Sequence, residues 1–152
     1  MTTPDIVLIA RVKTKRRQPC AAQDLYVSPL FVKQRVYAEK SGVPWSILSA
    51  EYRLVVPDEW LSPYERYLPD IPSAFRSAWG TSVAARLQLL AGPLSGRVIA
   101  AHAGRAYIKA IRPQLKVHGA NLIDRLSEPS MGERLAWYGV KAGCAEQDHD
   151  VD

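Results

Sequence analysis

Four short, unbroken apolar runs, separated by stretches of helical character, constrain this chain more than any other feature. They are DIVLIA at 5–10, PWSILSA at 44–50, GRVIAAH at 96–102 and ANLIDRL at 120–126. A strand covered by helices on both of its faces must be apolar on both, so it reads as a continuous run and not as an alternation. Between the runs lie helix signals. Ser28 is placed to cap a helix, Pro29 suits its first position, and Gly42 stops it. A longer helix is expected from Ser73 to Ala91, weakened by Gly80. Another spans residues 104–119, where Pro113 is expected to bend or divide it. A last helix follows Ser130, with Glu133 completing a capping box. Strand and helix alternate four times, which predicts a single α/β domain. Its sheet should be short and mostly parallel, of about four strands, with helices on both faces.

The domain is expected over residues 1–144. The tail 145–152 holds Glu146, Asp148, Asp150 and Asp152 and almost nothing apolar, so disorder is expected there. At 47% hydrophobic and 23% charged, the 152 residues suit one soluble core. No apolar run approaches the roughly 18 residues of a membrane span. The first run is followed, not preceded, by its charges, which argues against a secretion signal. A cytoplasmic protein is the expectation. Cys20 and Cys144 show no metal-ligand spacing, and neither a metal nor an organic cofactor is expected.

Charge points to a partner. The net charge is +5, and without the four tail acids the body carries +9. Five of the seven residues 11–17, Arg11, Lys13, Lys15, Arg16 and Arg17, are cationic. Such a run is either a solvated loop or a contact for a polyanion, and nucleic acid is the commonest polyanion. Open α/β sheets bind ligands at the carboxyl ends of their strands. The basic run leaves the first strand, Ser49 and Tyr52 end the second, and His102 and Gly104 end the third. Asp124 and Arg125 end the fourth. After Ser49 comes a proline-stiffened segment in which Tyr52, Tyr64 and Tyr67 alternate with Arg53 and Arg66. Interleaved aromatics and cations suit base stacking, although tyrosines packed on a sheet edge would look the same. Asp24 is either a loop anchor or a catalytic carboxylate, and His102 either a structural imidazole or a proton donor. No phosphate-binding glycine loop and no nucleophile elbow is present.

The motifs resemble a bacterial and phage family of unknown function along nearly the whole chain. Its blocks are Ala22, Asp24, Leu25, Tyr26, Ser28 and Phe31; Trp45 to Pro57 with Pro63 and Tyr64; His102, Ala103, Gly104 and Tyr107; and Gly132, Arg134, Leu135 and Trp137. The middle block is also similar to peroxide-stress-resistance proteins of the YaaA type, which are associated with DNA. The family further resembles domains attached to deazaguanine-base-exchange enzymes. The resemblance implies a theme of nucleobases within nucleic acid. Two positions depart from the pattern: Arg11 replaces a frequent Cys, and Arg53 replaces a Gly that would permit positive φ or close ligand approach.

Three functions are consistent with these residues. The first is a DNA N-glycosylase, with Asp24 as carboxylate, His102 or Lys15 as donor to the departing base, and Tyr52 as stacking platform. The wider binding surface would include Arg11, Lys13, Arg16, Arg17, Tyr26, Ser28, Ser49, Arg53, Tyr64, Gly104 and Tyr107. The second is a DNA-binding protein without chemistry, in stress response or phage defence. The third is a small-molecule nucleotide enzyme.

Overall fold

The computed structural model describes residues 4–10 and 15–125. In chain order the elements are β1 (Ile6–Ile9), β2 (Cys20–Ala21), α1 (Ala22–Leu25), α2 (Pro29–Lys40), β3 (Trp45–Ser49), β4 (Arg53–Val55), β5 (Trp60–Leu61), α3 (Ser73–Ala91), β6 (Val98–His102), α4 (Arg105–Val117) and β7 (Asn121–Asp124). The four apolar runs are the four parallel strands β1, β3, β6 and β7. β1 lies at the centre of the sheet, and its four residues are all buried. The helix expected after Ser130 lies outside the described residues, as does the tail.

The sheet order is β4-β3-β1-β6-β7. β4 is an antiparallel edge strand paired with β3, an addition to the four strands expected. Right-handed crossovers place α2 on one face of the sheet and α3 with α4 on the other. α2 packs on β1, while α3 and α4 pack on each other and on β4 and β7. Chain order reverses beside β1, so β1 and β6 flank the topological switch point of an open α/β sheet.

Local chemistry explains the boundaries. The Ser28 hydroxyl accepts from the Phe31 N–H at 3.2 Å and starts α2. Gly42 takes φ 75°, the left-handed geometry in which a helix can end without Cβ strain. Pro113 does not divide α4, which runs through it on an exposed face. Gly80 is no mere weak point in α3. A methyl group there would collide with the Ala110 carbonyl of α4, so the glycine sets how closely the two helices cross.

Away from the main sheet, β2 and β5 form a two-residue antiparallel ribbon. The Ala22 N–H donates to the Glu59 carbonyl at 2.7 Å, and the Gln23 N–H to Pro57 at 2.8 Å. The ribbon therefore ties the segment after β1 to the segment after β4, and this junction assembles the site.

Candidate functional site

Ser49 ends β3 fully buried. Its hydroxyl donates to the Tyr64 hydroxyl at 2.9 Å and accepts from the Tyr52 N–H at 2.9 Å. The Tyr64 hydroxyl lies 2.9 Å from that of Tyr26. Three hydroxyls from distant parts of the chain thus form one connected network. Tyr52 meets the Tyr64 ring edge-on at 5.4 Å and donates from its hydroxyl to the Ser62 carbonyl at 3.0 Å. Lys15, bridged to Tyr26 in antiparallel fashion, holds its ammonium 4.2 Å from the centre of the Tyr64 ring. Lys15 and Tyr52 are the half-exposed members of the cluster.

Electrostatics follow from burial. Loss of hydration raises the Tyr64 and Tyr26 phenols above their ordinary range, so both stay protonated. The neighbouring Tyr26 raises Tyr64 further, with the smallest contribution from Tyr107 of α4. Burial lowers the Lys15 ammonium, and the carboxylate of Glu65 partly offsets this. A lysine so placed gives up a proton more readily than one in water.

Lys15, Tyr26, Ser49, Tyr52, Tyr64 and Tyr107 are therefore brought together. Arg16 and Arg17 follow Lys15 and are exposed, although Arg16 also donates from Nε to the Asp24 carbonyl at 2.8 Å. Arg53 is exposed and adopts φ 68°. The backbone geometry that a glycine would have permitted there is kept, with an arginine in its place. Ser28 serves as the cap of α2. Gly104 starts α4 at φ −68°, and a Cβ added to it would meet nothing within 4 Å, so neither the backbone turn nor close packing requires glycine. Arg11 and Lys13 lie outside the described residues.

The other two residues considered for catalysis are Asp24 and His102. The Asp24 carboxylate pairs with Arg35 at 2.9 Å on the surface beside α2, the anchoring role that the sequence also allowed. His102 is 0% exposed. Its ring lies 5.0 Å from that of Tyr37, and its carbonyl accepts from Ala10 N–H and Gln34 Nε2, both at 3.1 Å. Burial, with a smaller contribution from Arg125, lowers the imidazole pKa to about 3, so the ring is neutral at pH 7. His102 pins the switch point from inside.

Two residues that the sequence did not single out belong to the site. Trp79 of α3 donates from its indole to the Ser49 carbonyl at 2.9 Å and meets Tyr107 edge-on at 5.5 Å. Glu65 supplies the carboxylate that acts on Lys15. Its position directly after Tyr64 was a usable signal, whereas Trp79 looked like any aromatic on a helix face. Among the described residues no His, Cys, Asp and Glu are grouped to hold a metal ion, and no helix is long and apolar enough to cross a membrane.

Fold and site together define an open α/β domain with a lysine-capped tyrosine cluster beside the carboxyl ends of its parallel strands. A family model described as a family of unknown function (DUF6884) matches residues 6–140, and the chain belongs to that family. No curated protein and no solved structure matches it.

Proposed function

We propose that the protein acts on nucleobases in DNA, as a cytoplasmic enzyme of N-glycosylase type. The observation that carries this reading is the Lys15 ammonium held 4.2 Å over the Tyr64 ring, on a floor of linked hydroxyls. Hydrolysis of a glycosidic bond breaks the base–sugar bond with a proton passing to the departing base, forms a new bond from water to the sugar carbon with loss of the water's proton, and needs negative charge near the oxocarbenium-like sugar. Lys15 is the donor, because partial burial makes its ammonium a stronger acid than one in water. Glu65 is the carboxylate, in place of Asp24, which is engaged by Arg35. The half-exposed Tyr52 gives an extruded base a face to stack on. Arg16, Arg17 and Arg53 contact phosphates. The likeness of Ile47–Tyr64 to the peroxide-stress-resistance proteins, and the bacterial and phage setting of the resemblance, support a role in base repair or phage defence.

The test is incubation with single- and double-stranded DNAs carrying normal, damaged and phage-type modified bases, followed by alkali cleavage at abasic sites. Wild type should release one class of base, and Lys15→Ala should lose about 10²–10⁴-fold in rate while keeping its fold. Equal release by wild type and Lys15→Ala would refute the assignment of the donor.

The burial of His102 and the pairing of Asp24 favour a second reading, a DNA-binding protein without chemistry. DNA binding by wild type with no base released from any of these substrates would select it.

A further inference from the structure

The crossing of α3 and α4 opens into a wedge that the tyrosine cluster does not use. Gly80 draws the helices together at Ala110. Ser77, Arg76 and Ser73 stand three, four and seven residues before Gly80, so they continue the same face of α3 beyond the crossing point. Small serine side chains there leave a gap of about 180 Å³, closed on the other side by Lys109 and Gln114 of α4.

The chemistry of this gap is one-sided. Among the described residues its lining includes two cations and two hydroxyls and no carboxylate. The Arg76 Nε–H is buried and, among the described residues, has no hydrogen-bond partner. Among the described residues neither Arg76 nor Lys109 is paired with an acid. A buried donor without an acceptor is costly, and a guanidinium's planar fork matches the oxygens of a phosphate. The first turn of α3 adds to this. Its cap residue, Pro72, makes no side-chain bond to the helix, so the positive end of the helix dipole is uncompensated by a capping side chain.

We propose that the wedge binds a phosphate group, with Arg76 as its forked partner and Lys109 as a point charge. Inorganic phosphate and the phosphodiester of a nucleic acid share this chemistry. The site stands independently of the base-acting reading, although the Trp79–Tyr107 contact, flanked in sequence by Gly80 and Ala106, links the two regions.

The experiment follows the Arg76 Nε–H resonance of the ¹⁵N-labelled full chain during titration with inorganic phosphate and, separately, with a short single-stranded oligonucleotide. A saturable shift of that resonance with either ligand is the expected result. Arg76→Gln and Lys109→Gln should each weaken the binding about tenfold, while Lys33→Gln, on the exposed face of α2, should not. Saturation by phosphate with no competition from the oligonucleotide identifies a free phosphate as the source. Displacement of phosphate by the oligonucleotide identifies the nucleic-acid backbone. An unmoved wild-type resonance with both ligands overturns the proposal, even if the variants fail to fold. So does equal weakening by Lys33→Gln, which would indicate charge attraction without a site.

Discussion

At the scale of single residues, Arg53 carries the clearest strain. Left-handed backbone costs a non-glycine residue about 1–2 kcal/mol, and φ at Arg53 is 68°. Arg53→Gly removes that strain but loosens the unfolded chain. It should leave stability unchanged or raise it by up to about 1 kcal/mol, whereas β-branched Arg53→Val should lower it, as read by urea denaturation midpoints. The hydroxyl network gives a second test. Tyr64→Phe deletes one oxygen and strands its buried neighbours on Ser49 and Tyr26, at a cost of about 1–3 kcal/mol. A melting temperature equal to wild type would mean the network contributes nothing to stability. His102 sets a pH dependence. Its folded pKa, about 3, lies below its ordinary value of 6.5. Above pH 6.5 the ring is neutral in both states and adds no slope. As pH falls from 6.5 toward about 3 the unfolded chain takes up the proton first, so stability declines. The slope from this one group approaches about 1.4 kcal/mol per pH unit. Thermal melts of wild type and His102→Gln between pH 7.5 and 4.5 should diverge accordingly, with the wild type losing more. Parallel curves would show that His102 is not sealed.

At the scale of elements, the α3–α4 crossing shows packing overriding intrinsic preference. Alanine is the better helix former by about 1 kcal/mol, yet a methyl at position 80 meets the Ala110 carbonyl. Gly80→Ala should therefore destabilise, by about 1–3 kcal/mol, and a stabilised variant in a thermal melt would mean that the helices can separate freely. The ladder of β4 shows the opposite limit of legibility. Three residues, Arg53 to Val55, of which the first is exposed, carry no periodicity that distinguishes a strand from a loop. Only the hairpin return from β3 makes them one. Pro113 was expected to bend or divide α4. Because the proline is exposed, the helix forgoes one backbone hydrogen bond at the surface and keeps Ile111 and Leu115 in the core.

At the scale of the whole molecule, exposed Arg16, Arg17 and Arg53 flank the cluster members Lys15 and Tyr52 in sequence. If this surface meets DNA, replacing Arg16 and Arg17 with Ala should weaken binding and flatten its salt dependence. Each phosphate that is no longer neutralised takes about 0.9 off the log–log slope, and an unchanged slope would remove these arginines from the interface. The parallel core of the architecture follows from the sequence alone. Strands buried on both faces must be continuously apolar, so Ile6–Ile9, Trp45–Ser49 and Val98–His102 announce a parallel sheet covered by helices. The sequence also carried Lys15, Ser49, Tyr52 and Tyr64 as candidates, because strand ends and aromatic–cation runs are local patterns. Tertiary structure alone decided which of them meet. Tyr26 and Tyr64 are 38 positions apart, and the ribbon that joins their segments is two residues long on each side, too short to leave a pattern. Burial was equally hidden. His102 and Asp24 each allowed a structural or a catalytic role, because solvent exposure depends on what the rest of the chain places over or beside a residue. Here α2 supplies Tyr37 to cover the imidazole and Arg35 to engage the carboxylate.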